Sequence, residues 1–390
     1  MKLLIGGDLV PTESNISLFE NAESEKLLGD SLFALLSSVD YRVFNLEVPL
    51  TDVTAPIDKC GPNLIAPSAT AAGIKAIGVD LVVLANNHIM DQSEQGLFST
   101  IQTLQENKIA YVGAGENLQM AQKPFILEQD GRRIGVYACA EHEFSIADKN
   151  TPGANPFDPL ESLDHIAELK QQTDYVVVFY HNGKEYYRYP TPKLQKVCRK
   201  MVEKGADLVV CQHSHCVGSK EQWQDGTIVY GQGNFLFDRY DNEFFRTGLL
   251  LELTVNDDIM LTYHPLEKHG NTVRLAKDEK AEEILSAFYN RSTEIQEDGF
   301  LERRFRAFSE EMLWNYLGAF HGNRTKKLWF RVINKLSGHR FAKWYLNRQY
   351  DKQSILKIQN YVECEAHREV LEDGLRNNAI KNKSDVTVSK

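Results

Sequence analysis

Between residues 2 and about 266, short apolar and β-branched runs alternate with stretches of helical length, and several runs close on a residue able to bind a metal ion. The runs are Lys2–Gly6, Tyr41–Leu46, Asp80–Leu84, Ala110–Val112, Arg133–Ala138, Tyr175–Tyr180, Ala206–Cys211, Thr227–Gly231, Leu249–Val255 and Ile259–Tyr263. DLVVLA, DYVVVFY and ADLVVCQ are almost continuously apolar, as strands covered on both faces are. Between the runs, Gly96–Asn107 carries Leu97, Ile101 and Leu104 on one helical face, and Pro192–Lys204 is a second helix. This alternation predicts an α/β core with much parallel pairing and an antiparallel pair, the last two runs, at its edge. Past about residue 275 the strand signals stop, and Glu279–Tyr289, Leu301–Phe320, Lys326–Leu336 and Arg340–Tyr350 read as helices. A boundary near residue 270 then divides an α/β domain, 1–270, from a helical C-terminal extension, 271–390.

The polar residues that follow the runs are not scattered. Asp8 follows the first, Glu47 the second, Asn86-Asn87-His88 the third, His181 follows DYVVVFY, His213 and His215 follow ADLVV, and Asn234 follows TIVYG. Ligands of open α/β sheets bind at the carboxyl ends of strands, so these residues converge on one edge. Their mixed oxygen and nitrogen donors suit Mn, Fe or Zn better than the all-oxygen cages of Ca²⁺ or Mg²⁺. They also outnumber the needs of one tetrahedral ion, and a pair of ions about 3.5–4 Å apart uses them economically.

Each residue alone has a simpler explanation. An Asp after a strand is usually a helix cap, Glu47 a solvated loop residue, His181 a satisfied core histidine. The pair His213 and His215 is more distinctive, since alternate residues of an extended chain point the same way. The simpler explanations must hold independently at every strand end, and the constellation outweighs them.

The pieces GGDLV, FNLEVPLT, LANNHIMDQSEQGL, YVGAGEN, FYHNGKEYY, KGADLVVCQHSH and IVYGQGNFLFD, in this order over roughly residues 2 to 240, resemble the CapA family of poly-γ-glutamate capsule synthesis proteins within the calcineurin-like metallophosphatases. The resemblance implies a four-layer α/β/β/α sandwich with two mixed sheets and two divalent ions. Asp8 and His215 would hold one ion, Asn87, His181 and His213 the other, and Glu47 would bridge them. His88 would donate a proton to the leaving group. Glu185, Arg188 and Asn234 are candidate substrate contacts. Two positions depart from the superfamily: Val10 stands where its first motif has His, and Gln212 where it has Gly.

The implied activity is metal-dependent hydrolysis of a phosphoester, or of an amide or ester in an anionic polymer. The alternatives are a non-catalytic capsule-assembly factor with a degraded site and a cytosolic nucleotide phosphodiesterase. A net charge of −10 argues against a general nucleic-acid binder. No run reaches the roughly eighteen apolar residues of a membrane span, and the six cysteines are scattered without a CxxC pair, so the expected location is cytoplasmic. Between Gly322 and Lys357, ten Lys or Arg residues and a single acidic one, Asp351, are interleaved with aromatics. A helix with a solvated basic face explains this segment; peripheral contact with an anionic membrane is the sharper expectation.

Overall fold

The computed structural model describes residues 1–238, 242–256, 259–320, 328–338, 340–363, 367 and 375, apart from the side chains of 314, 315, 319 and 363. Residues 322–327 and 339 of the basic aromatic segment, and Cys364, lie outside the described residues. Two compact units are present, Met1–Arg303 and Arg304–Lys390.

The first unit contains two large mixed sheets. One has the order Thr272–Leu275, Ile259–His269, Thr247–Val255, Lys2–Leu9, Tyr41–Leu46, Leu81–Val83, Ala110–Val112, with Asn234–Leu236 added alongside the end of Lys2–Leu9. The four N-terminal strands run parallel and the three C-terminal ones antiparallel. The second sheet has the order Lys220–Trp223, Gly226–Tyr230, Leu208–Gln212, Tyr175–His181, Arg132–Ala140, Phe125–Gln129, parallel in its middle.

The apolar runs owe their continuity to burial on both faces. In Tyr175–His181, Val177 and Phe179 pack into the core shared by the two sheets, whereas Val176, Val178 and Tyr180 pack into a second core beneath helices Ser162–Gln172 and Pro192–Glu203. Leu208–Gln212 divides its side chains in the same way. Helix Pro192–Glu203 begins where the Thr191 hydroxyl accepts from Leu194 N at 3.0 Å, with Pro192 in the first turn. It buries Leu194, Cys198, Met201 and Val202 on one face. On the outer face of the first sheet, Ser93–Glu106 buries Leu97 and Leu104 as its spacing predicts. The layers are therefore helix, sheet, sheet, helix.

Four strands of the two large sheets, Phe125–Gln129, Lys220–Trp223, Asn234–Leu236 and Thr272–Leu275, and the small pair Ala114–Gly115 and Gly153–Ala154 carry weaker signals than the sequence rhythm detects. Thr272–Leu275 takes the sheet edge outside the expected antiparallel pair. The first compact unit also continues beyond residue 270, because helix Asp278–Glu294 inserts Ile284 and Phe288 into the main core.

In the second unit, helices Leu328–Leu336 and Arg340–Gln349 meet through Phe330, which lies 5.2 Å from Phe341 and 5.3 Å from Tyr345 between ring centroids. Leu328, Trp329, Val332, Ile333 and Leu336 remain exposed. Among the described residues no helix is long and apolar enough to cross a membrane.

Candidate metal centre

The two glycines before Asp8 let the first strand approach its neighbours closely. A Cβ at Gly7 would stand 2.0 Å from the Gly233 carbonyl oxygen, and one at Gly6 would meet the Phe44 ring. With that approach made, Asp8 pairs in register with Asn45 on one side and Asn234 on the other. Asn45 donates to Asp8 Oδ1 at 2.8 Å. Glu47 follows the next strand, its backbone held to Leu9 O. Asn86 ties the third loop down, donating to Asn45 Oδ1 at 3.1 Å and Leu46 O at 2.9 Å, so that Asn87 and His88 present their side chains beside Glu47.

The second sheet supplies the opposite wall. His181 ends its strand in register with Gln212 and Ala140. His181 Nε2 lies 3.4 Å from Glu47 Oε1, 3.1 Å from Asn87 Oδ1 and 3.2 Å from His213 Nδ1. His215 Nδ1 lies 3.3 Å from Asp8 Oδ2 and 2.9 Å from Asn234 Oδ1. Six of the residues singled out in the sequence, together with Asn234, thus meet between the carboxyl edges of the two sheets. His213 and His215 do so without extended chain: their φ angles are +93° and +55°, left-handed conformations uncommon for histidine and costing roughly 1–3 kcal/mol each. The expected reason for their convergence is therefore replaced by a strained turn.

Among the described residues three ligand groups emerge, each with donor atoms within 4.8 Å of one another. Glu141–Glu143–His213 lies at the rim, and two deeper ones, Asp8–Glu47–His215 and Glu47–His181–His213, are fully buried. Glu47 belongs to both of the deeper groups. Its two carboxylate oxygens are buried without a hydrogen-bond partner, a costly arrangement unless a cation satisfies them. Burial, reinforced by the charge of Asp8, pushes the Glu47 carboxyl up to about 7. Burial and the neighbouring His213 push His181 down to about 3, so it is a neutral imidazole with a lone pair to give. The donor set and its unsatisfied oxygens fit divalent metal ions.

Sequence reasoning missed several partners. Glu141 Oε1 lies 2.9 Å from His213 Nε2, which leaves Nδ1 of that ring toward the cluster. Burial opposes a charge on His213, but Glu141 outweighs it and raises the imidazole to about 9. Glu143 accepts from Asn87 Nδ2 at 2.9 Å, turning the amide oxygen toward His181. Both glutamates follow strand Arg132–Ala140, so the strand-end rule applied to that run finds them. His88 Nδ1 lies 2.5 Å from Asp91 Oδ2, and buried Lys59 bonds the other oxygen of Asp91. Lys59 has no sequence signal; only the fold brings it there.

Val10 is buried in the apolar core, where the superfamily has a histidine. Gln212 donates to Gly6 O at 3.2 Å and links the two sheets at the position of the superfamily glycine. Glu185 is half-buried and close enough to His213 to raise its proton affinity. Arg188 turns to the Val217 carbonyl at 3.5 Å, to Glu243 at 3.7 Å and over the Phe244 ring.

A family model described as bacterial capsule synthesis protein PGA_cap matches residues 2–239, a span that includes every strand end of the metal cluster. The chain belongs to this family. It is 33% identical over 213 residues to the capsule biosynthesis protein CapA of Bacillus anthracis, covering 52% of each chain. It is 30% identical over 256 residues to the PGA biosynthesis protein CapA of Bacillus subtilis, covering 63% of this chain and 64% of that one. The chain thus spans between half and two thirds of these curated relatives. A solved structure, a novel phosphatase from Mycoplasma pneumoniae, is similar at a TM-score of 0.46 and 13% identity, covering 70% of this chain and 94% of its own. The PGA_cap match ends before helix Asp278–Glu294, so the matched segment and the compact unit do not share a C-terminal limit.

Proposed function

We propose that this PGA_cap chain is a two-metal hydrolase of capsule or polyglutamate-type polymer synthesis, cleaving a phosphoester or an amide or ester within an anionic polymer. The observation that carries the reading is Glu47, shared by two ligand groups with both oxygens buried and unsatisfied. Asp8 and His215 would hold one divalent ion, Asn87, His181 and His213 the second, with Mn, Fe or Zn suited to the donors. When bound, such a pair supplies Lewis-acid stabilisation of negative charge and activation of water at neutral pH.

The chain's own residues then orient the substrate and move the proton. Asp91 accepts from His88 Nδ1 and is itself held by Lys59 at its other oxygen, which leaves Nε2 to protonate the departing oxygen or nitrogen. The second unit supports peripheral contact with an anionic membrane: apolar Trp329, Ile333 and Leu336 are exposed on a helix that also carries Arg331 and Lys335.

A non-catalytic polymer-binding role is favoured by one observation, the buried Val10 that leaves the Asp8 ion with fewer protein ligands. Metal analysis of the purified full chain, alongside hydrolysis assays of wild type and His88→Ala, separates the two. Two ions per chain and turnover lost in His88→Ala support the hydrolase. Fewer than one ion and no turnover with Mn²⁺, Fe²⁺ or Zn²⁺ favour the binding role.

A further inference from the structure

Val217 lines a cavity of about 350 Å³ whose walls include Arg188, Arg246, Arg291 and Lys280. Among the described residues, two carboxylates, Glu243 and Glu283, line it with them. Glu283 is taken up by Lys280 at 2.7 Å, and Glu243 is largely exposed and 3.7 Å from Arg188. The pocket is therefore cationic within a chain whose net charge is −10.

Two of its guanidinium groups converge on one carbonyl. Arg291 donates to Val217 O at 2.9 Å and Gly218 O at 2.7 Å, and Arg188 approaches the same Val217 oxygen at 3.5 Å. Like charges held together and partly desolvated repel, and burial with the nearby Arg188 charge lowers Arg291 to about 10. Backbone carbonyls orient these forks, and exposed Glu243 at 3.7 Å from Arg188 and Glu294 near Arg291 offset part of their charge. An oxyanion in the cavity would offset more of it.

A chain of ring contacts also runs from the pocket to the candidate metal centre. Val217 is two residues beyond His215 in the chain, the Tyr186 ring lies 6.0 Å from the His215 ring and 5.5 Å from Phe244, and Arg188 stacks over Phe244 at 4.7 Å. Arg246, Lys280 and Arg291 fall outside the PGA_cap match and Arg188 and Val217 within it, so the cavity is built from both parts of the chain.

We infer that this cavity is an oxyanion subsite that holds a carboxylate or phosphate of the substrate next to the bond being cleaved. Arginine forks match both anions by paired hydrogen bonds. The placement of the scissile bond rests on the hydrolase reading above; the anion site itself does not.

Calorimetric titration of the full chain, stripped of metal with EDTA, with inorganic phosphate and separately with a short glutamate oligomer tests it. Saturable binding of either is expected, weakened about tenfold to a hundredfold in Arg246→Gln and in Arg188→Gln. Circular dichroism checks that each variant is folded. Phosphate binding alone assigns a phosphate subsite, and oligomer binding alone a carboxylate subsite. His88→Ala is expected to bind the anion as wild type does, so a chain without turnover can still pass. No saturable binding of either probe, or wild-type affinity in both arginine variants, overturns the inference.

Discussion

Glu47 Oε1 stands 3.4 Å from His181 Nε2, joining a carboxylate of the first sheet to an imidazole of the second. This contact is where the sheets share the candidate metal cluster, and occupancy of that cluster is expected to depend on Glu47. Glu47→Gln is expected to lower bound metal and abolish the rise in melting temperature on adding Mn²⁺, a rise equivalent to about 2.7 kcal/mol at a hundredfold excess over Kd. In metal-free protein the effect reverses. The Glu47 carboxyl is pushed up to about 7, above its unfolded value of 4.5, so its ionisation costs stability that grows as pH rises from 4.5 through 7. Metal-free Glu47→Gln should therefore be the more stable protein at pH 8 by urea titration, and equal or lower stability there would contradict the cluster's electrostatics.

The Lys59–Asp91 pair is buried on both sides, with side-chain exposures of 2% and 0%. Lys59→Met leaves Asp91 in the interior with His88 as its main counterpart and is expected to cost about 3–5 kcal/mol. Lys200→Met, which breaks the exposed pair with Glu203, should cost no more than about 1 kcal/mol. Chemical denaturation of the two variants compares them directly.

Lys268 is half-buried, but its ammonium group turns inward onto the Phe235 carbonyl. Burial lowers it to about 7, against the attraction of Asp238 and Asp8. Between pH 7 and the unfolded value of 10.5 the unfolded chain holds a proton that the folded one releases, so stability rises with pH, by at most about 1.4 kcal/mol per unit. Below pH 7 the penalty is present in full. Lys268→Met removes this slope, and its stability relative to wild type is expected to be greater at pH 6 than at pH 9. An identical difference at both values would count against a buried ammonium.

Helix Asp278–Glu294 is held by Phe288, fully buried against Tyr263 with ring centroids 5.1 Å apart. Phe288→Ala is expected to destabilise the fold by about 3–5 kcal/mol, whereas an alanine at exposed Glu282 should change it by less than about 0.5 kcal/mol. Thermal melts of both variants check this.

Membrane contact through the second unit predicts sedimentation of the full chain with vesicles containing anionic phosphatidylserine and not with neutral ones. Each basic residue near such a surface contributes about 1 kcal/mol, so Arg331→Glu with Lys335→Glu should reduce bound protein at least tenfold. Equal sedimentation of the double variant removes this segment from the reading.

Much of the site was legible because ligands of parallel strands sit at carboxyl ends, so Asp8, Glu47, His181, His213 and His215 announced themselves by position after an apolar run. Glu141 and Glu143 follow a run of the same kind and were open to the same reading. Lys59 was not, since it lies in an irregular segment and reaches Asp91 only through tertiary packing. The short strands Asn234–Leu236 and Lys220–Trp223 escaped for a related reason. They are too brief, or too polar, to have a period of their own, and they exist because neighbouring strands offer unpaired backbone.

The sequence by itself determined the family, the α/β alternation and which residue types stand at the strand ends, since these depend on local pattern and order along the chain. Only the tertiary structure decided that Glu47 is shared between two ligand groups, that His213 and His215 reach it through left-handed turns, and that Ile284 and Phe288 complete the core. Those facts depend on distances between segments remote in sequence, which burial of both sheet faces fixes and local propensity does not encode.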